Sequence, residues 1–204
     1  MKKSLEEHAD RFSEHAADYD ENQDSPEYRA CADFMVAHAD PQSDDVVLDL
    51  GTGTGAIAFG VADAAGEVVG RDISEGMLAK AREKAADQGV ENVSFGEGRF
   101  RDPQVPDGVS VDIVTSNFAM HHLGDEEKRE AIDVIAGLGP RKIVLGDVMF
   151  FGHPNPDEPF YSPEVDDPAT VGVLVDAFTD AGYAITAVEM VAAQVGVLVA
   201  EKLV

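Results

Sequence analysis

Basic residues, cysteine and tryptophan are all scarce in this 204-residue sequence: 15 Lys and Arg stand against 40 Asp and Glu, with one Cys and no Trp. Two of these shortages remove a class of function. A formal net charge of −25 repels the phosphate backbone of nucleic acids and the headgroups of anionic membranes, so neither is expected as a partner. A single thiol, Cys31, forbids an internal disulfide and any cysteine-built zinc cluster. Long apolar runs are missing too, with none near the ~18 residues of a membrane span. Behind Lys2 and Lys3 there is no apolar segment of the secretory kind, so a cytoplasmic protein is expected. The acid is spread along the chain rather than gathered in a tail. Such a solvated carboxylate surface suits a protein from a salt-loving source.

What the chain does contain is enough apolar residue, 44%, for one domain over residues 1–204 with a substantial core. The informative stretch is Val46–Gly55, VVLDLGTGTG. Val46-Val47-Leu48 reads as a buried parallel strand. Gly51, Gly53 and Gly55 follow, and a helical pattern opens at Ala56. Strand, glycine turn and helix make a nucleotide-type site, because glycine permits the turn and lets a ligand lie on bare backbone. No Lys follows Gly55, so this is not a phosphate-binding loop, and the dinucleotide fingerprint is met only through Ala56. Asp49 would repel a pyrophosphate and attract a cation.

The segment Asp49-x-Gly51-x-Gly53-x-Gly55 resembles motif I of the class I S-adenosylmethionine (SAM)-dependent methyltransferases. SAM carries a sulfonium and an amino group and no phosphate, which suits an acidic loop mouth. More segments resemble the same family in its small-molecule, ubiquinone/menaquinone-like subgroup. Phe12-x-x-x-Ala16-x-x-Tyr19-Asp20 resembles the entry segment that folds over the SAM site with its Tyr close by. Asp72-Ile73-Ser74-Glu-Gly-Met77-Leu-Ala-Lys-Ala81 resembles the second strand–helix unit, where an acid about 20 residues past the loop takes the ribose hydroxyls. Gly98-Arg99-Phe100 stands where the family carries Gly-Asp-Ala; Arg99 cannot accept from the adenine amino group, so backbone, Glu97 or guanidinium stacking must serve. Val111–Asn117 with Phe118-Ala-Met-His121-His122-Leu123 resembles F-D-x-V-x-S-x-F-A-L-H-H-L, with Val111 for Phe.

The resemblance implies an α/β, Rossmann-like, doubly wound sheet of seven strands, mostly parallel with an antiparallel C-terminal strand. It also implies SAM as cofactor and S-adenosylhomocysteine (SAH) as product. Its cofactor-binding set is Tyr19, Asp49, Gly51, Thr52, Gly53 and Gly55, then Asp72, Ile73 and Met77, then Gly98, Arg99 and Phe100, with Asn117 and Phe118 flanking the methionine and adenine parts. Tyr19, His121 and Asp147 are candidates at the acceptor end: His121 as a proton acceptor, and His122 as a packed side chain. No metal is expected, because adjacent histidines do not converge and no nearby acid has ligand spacing.

Residues 1–40 read as an N-terminal helical cap whose first 24 positions are charged enough to be a frayed leader. Strands are expected at Glu67–Asp72, from Val93, over Val111–Asn117 and over Arg141–Val148; the helix after the glycine loop ends at Gly66. Residues 149–168, with Phe150, Phe151, Phe160, Tyr161 and five prolines, read as a substrate loop. A last helix over Ala169–Gly182 and a hairpin, Tyr183–Met190 with Gly196–Lys202, close the chain. The expected function is methyl transfer from SAM to a small-molecule acceptor. A non-catalytic SAM sensor and, more weakly, a nicotinamide-dependent oxidoreductase are the alternatives. Arsenite as acceptor is disfavoured, because that family relies on several cysteines. The oligomeric state is not legible.

Overall fold

The β-branched runs form the strands and the helical patterns cover them. The computed structural model describes residues 5–16, 19–22, 25–153 and 160–203. Strands β1 (Val46–Leu50), β2 (Glu67–Asp72), β3 (Val93–Glu97), β4 (Ile113–Asn117) and β5 (Lys142–Phe150) are mutually parallel. After the short β6 (Ala169–Thr170) come β7 (Ala184–Ala192) and β8 (Val195–Glu201). The sheet runs β3-β2-β1-β4-β5-β8-β7, with β8 antiparallel to both neighbours and β6 paired to the end of β5.

Both faces are covered, so successive residues of one strand enter different cores. Val47 packs with Met35 of α3 (Pro26–Ala39) and Val61 of α4 (Ala56–Ala62). Its neighbour Leu48 packs with Ile132 of α6 (Asp125–Gly137) and Phe178 of α7 (Val171–Asp180). Helix α5 (Glu75–Gln88) lies against β2 and β3. Ser25 and Ser74 cap α3 and α5, each accepting a hydrogen bond from the backbone N–H three residues on.

Several boundaries differ from expectation for visible reasons. The first 24 residues, read as part of a helical cap with a frayed leader as the alternative, include α1 (Leu5–His15), which packs on α5, and α2 (Tyr19–Asn22). Helix α4 stops at Ala62 rather than Gly66. Strand β4 starts at Ile113 because Asp112 is used otherwise: its carboxylate takes the Val46 N–H and its carbonyl the Arg141 N–H. Met149 and Phe150, expected in the loop, extend β5 and pair with Ala169 and Thr170, so the last helix starts two residues late, capped by Thr170. Residues 154–159 of the expected substrate loop, with three of its prolines, lie outside the described residues.

In an open parallel sheet the crevice opens where the strand order reverses, beyond the carboxyl ends of the strands. Here that point is between β1 and β4.

Candidate active site

The glycine turn after β1 is held by two backbone bonds, Gly51 N–H and Thr52 N–H both donating to the Arg71 carbonyl (2.8 and 3.0 Å). Gly51, Gly53 and Gly55 have φ of +70°, +54° and +92°, conformations that side chains resist. A Cβ on Gly51 would strike Ala119, whereas one on Gly53 would meet nothing within 4 Å. Gly51 is therefore a packing glycine, and Gly53 presents bare backbone to open space. That space is a cavity of about 520 Å³, of ordinary size for a small-molecule site.

Every residue of the expected cofactor set except Gly55 lines this cavity. Gly55 instead caps α4 and packs on Phe59. Asp49 is 1% exposed and accepts from the hydroxyls of Thr52 and Thr115, each at 2.7 Å. Burial pushes its pKa up to about 6 against the pull of those two bonds. A carboxylate so desolvated, with the cavity in front of it, is primed for a cation. Asp72 accepts from Gly53 N–H (2.8 Å) through one oxygen and from Ser74 N–H (2.9 Å) through the other. It therefore pins the glycine loop as well as facing the cavity, and burial raises its pKa.

The third segment departs from expectation. Arg99 is half exposed and sits beside Glu97 (3.6 Å), and Glu97 does not line the cavity. Asp102 does, brought next to Arg99 by reciprocal backbone bonds of 2.9 and 3.0 Å. A tight turn thus places an acid at this end three residues later in the chain than the family pattern has it. At the end of β4, Phe118 holds φ of +50°, rare for an aromatic, and stacks on Tyr28 with centroids 5.2 Å apart. Asn117 accepts from the Cys31 thiol (3.3 Å), while its buried amide nitrogen has no partner among the described residues. A buried donor without a partner is costly, and here it belongs to a cavity-lining residue. Burial pushes the Cys31 thiol far above its ordinary range, so it is inert.

The other wall comes from residues outside the expected cofactor set: Phe12 of α1, His122 and Leu123, which lie in the motifs, and His8, Tyr28 and Glu127, which no motif flagged. Tyr19 is there too, edge-on to Phe12 at 6.3 Å. Burial, then Asp72 and Asp20, push its pKa up to about 12, so it stays a neutral hydroxyl and is no base.

The histidine pair is placed the other way round from expectation. His121 and Asp147 are absent from the lining. His121 is buried, its Nδ1 2.5 Å and its backbone N 3.0 Å from the two Asp147 oxygens. Burial alone would lower its pKa, but Asp147 overcomes that and raises it. His122 lines the cavity instead, its Nδ1 2.8 Å from Asp166. The two adjacent rings do converge, contrary to expectation, because Asp166 gathers them from 44 residues away; ring nitrogens of both and its carboxylate lie within 4.8 Å of one another. Nothing in the local sequence pointed to Asp166, which lies in the proline-rich stretch.

Two described residues of that stretch touch residues that line the cavity. None of its described residues lines the cavity, but Phe160 packs on Phe118 at 6.2 Å and Asp166 holds His122. Among the described residues, no helix is long and apolar enough to cross a membrane.

With this geometry in place, comparison with known proteins is specific. Residues 47–138, from β1 through the start of the turn after α6, match a methyltransferase domain family. An uncharacterized methyltransferase of Bacillus velezensis is 32% identical over 152 residues, covering 68% of this chain and 69% of the relative. An arsenite methyltransferase of Halobacterium salinarum is 33% identical over 148 residues, but the match covers only 37% of its length. Among solved structures, a putative methyltransferase of Haloferax volcanii, in complex with the methyltransferase activator Trm112, superposes with a TM-score of 0.77 at 20% identity, covering 93% of this chain and 96% of that one. A magnesium protoporphyrin IX methyltransferase of Synechocystis with bound SAH gives 0.71 at 21% identity, covering 87% and 84%. The likeness of these two is one of fold, whereas the Bacillus relative is close enough and long enough to settle kinship: this chain belongs to the class I SAM-dependent methyltransferase family.

Proposed function

We propose that the protein transfers the methyl group of SAM to a small organic acceptor, in a salt-rich cytoplasm. One observation carries this: the carboxyl ends of β1, β2 and β4 bring Asp49, Gly53, Asp72 and Asn117 to one cavity. The desolvated Asp49 suits the cationic methionine end of SAM, bare Gly53 suits close approach, and Asp72 suits the ribose. The methyl group is already activated by the sulfonium. The protein's task is then to align a nucleophile with the S–CH₃ bond and exclude water, which supplies roughly 7–11 kcal/mol in favourable cases.

The acid excess favours a small acceptor over a nucleic acid. The aromatic wall of Phe12, Tyr28 and Phe118 favours a flat or apolar one. Arsenite suits this chain poorly, because its one cysteine is buried and hydrogen-bonded to Asn117. Phe160 and Asp166 tie residues 149–168 to the acceptor side, consistent with a substrate-selecting loop.

Calorimetric titration with SAM, SAH and NAD tests the cofactor, and label transfer from [methyl-³H]SAM to a panel of small acceptors tests the activity. SAM and SAH are expected to bind and NAD not to. NAD binding without SAM binding would overturn the proposal, and SAM binding with no transfer to any acceptor would favour a sensor.

A further inference from the structure

Two histidines stand side by side, and only one reaches the cavity. His122 has its Nδ1 2.8 Å from Asp166, which leaves Nε2 on the opposite edge of the ring. Its ring packs on Phe12 (5.5 Å) and His8 (5.1 Å) of α1, both of which line the cavity. Asp166 is itself fixed. Its second oxygen accepts the Ser162 N–H at 2.7 Å, and the next residue, Asp167, donates its N–H to the His121 carbonyl at 2.7 Å. Buried Lys128 bonds both the Leu123 and Asp167 carbonyls, clamping the histidine turn to the loop that carries Asp166. This is more restraint than a packed histidine requires. It fixes the tautomer with the proton on Nδ1, and so makes Nε2 the acceptor.

Building on methyl transfer from SAM, we infer that His122, oriented by Asp166, is the general base of the reaction, and that the acceptor is a phenol or enol whose hydroxyl proton it removes. In the step, the O–H proton passes to His122 Nε2 as the oxygen lone pair forms the new O–CH₃ bond. The S–CH₃ bond breaks, and its electron pair stays on sulfur, giving neutral SAH. The imidazolium that forms lies against the Asp166 carboxylate. The aromatic walls supplied by Phe12, Tyr28 and Phe118 fit a planar acceptor. A phenol or enol is mostly un-ionised at neutral pH and gains from a base, unlike a readily ionised thiol.

The groups facing His122 agree with this use. Burial lowers its pKa; Asp166 and, more weakly, Asp147 oppose that, and His121 beside it adds to it. His121 takes the opposite course, raised by Asp147 and by Asp166, 3.9 Å from its Nε2. The pair therefore divides into an inner ring that holds its proton more tightly than usual and an outer one that holds it less tightly. His8 on α1 and Lys128 and Glu127 on α6 complete the ionisable surroundings.

The test uses the full-length protein with [methyl-³H]SAM and a panel of phenols, 1,3-dicarbonyl enols, thiols and amines, with melting temperature and SAH affinity measured for each variant. Label is expected in phenols or enols. His122→Ala should lower kcat at least about 100-fold, the ordinary scale of general-base loss, while SAH affinity is retained. Added imidazole should restore part of the rate. His122 must be neutral to act, so wild-type kcat should rise with pH through its pKa. Asp166→Asn removes a group that raises that pKa, so the acid limb should move to lower pH while the plateau falls. If His122→Ala melts early, His122→Gln and Asp166→Asn carry the test. Undiminished kcat in a folded His122 variant overturns the inference, as do label confined to thiols and amines and turnover abolished by EDTA and restored by zinc. Failure of wild type to bind SAH would instead sink the cofactor assignment on which this rests.

Discussion

The cavity has two halves built by different rules. The half made by β1, β2 and β4 is assembled from strand ends and the turns directly after them, and its key bonds run within a turn or between adjacent strand ends: Asp49 to Thr52 and to Thr115, Asp72 to Ser74, Gly53 to Asp72. The opposite half is assembled from α1, the turn carrying His122, and a loop residue 44 positions further on. The first half is set by backbone geometry and tolerates few residue types. The second depends on side chains meeting across the fold. On the proposed function, the first half serves the cofactor and the second the acceptor.

Substitutions can break this contrast or sharpen it. The largest effect is expected at Asp49. Asp49→Asn should weaken SAM by about 100-fold, roughly one or two charged hydrogen bonds, while adenosine binding changes little. The wild-type affinity should also depend on pH. The empty site holds Asp49 near pKa 6, and a cation binds only its ionised form, so SAM should bind more tightly as pH rises through about 6 and more weakly below it. Calorimetry at pH 5, 6, 7 and 8 measures this, and a flat profile would detach Asp49 from the cation.

Asp72 comes next. Asp72→Ala should weaken SAM, SAH and adenosine alike by at least about tenfold, since all three carry the ribose. The strand-end position alone suggested that the fold would be indifferent to this change. The bonds to Gly53 and Ser74 say otherwise: each loses its acceptor, at a cost on the order of 1–3 kcal/mol, and the melting temperature should fall. Unequal losses among the three ligands would break the ribose assignment.

A smaller effect separates the halves. Phe12→Ala removes a wall of the acceptor side, so the acceptor KM should rise by about fivefold, the equivalent of ~1 kcal/mol, with SAM affinity less affected. Equal losses of both would mean that the halves are not separable. Smallest of all, molar KCl should raise the melting temperature by a few degrees, as screening relieves the repulsion of 40 acidic against 15 basic residues.

The same division explains what the sequence disclosed. Alternating β and α patterns and the glycine turn were readable because each is local, and the doubly wound sheet and the cofactor set came with the family resemblance that those segments carry; nearly all of that set lines the cavity. Arg99 looked like a lost acid because the turn that returns Asp102 to its side is a matter of backbone pairing. Which histidine faces the cavity was unreadable for a similar reason. Adjacent residues in a turn point differently, and which one meets the cavity was decided by Asp147 on β5 and Asp166 on the loop, neither close to them in sequence. The entry segment was recognised by Phe12 and Tyr19, but His8, one helical turn earlier, carried no motif.

The short helix α2 also has a kinetic consequence. Asp20 accepts from the Thr54 hydroxyl at 2.5 Å and pairs with Lys84, so α2 is bolted to the glycine turn on one side and to α5 on the other. On α1, the Ser13 hydroxyl bonds that of Ser74 at 2.8 Å. Phe12 and Tyr19, on the two helices so held, line the cavity. On the proposed function, loosening either bolt, as in Asp20→Ala or Ser13→Ala, should speed release of SAH, which stopped-flow dissociation would measure.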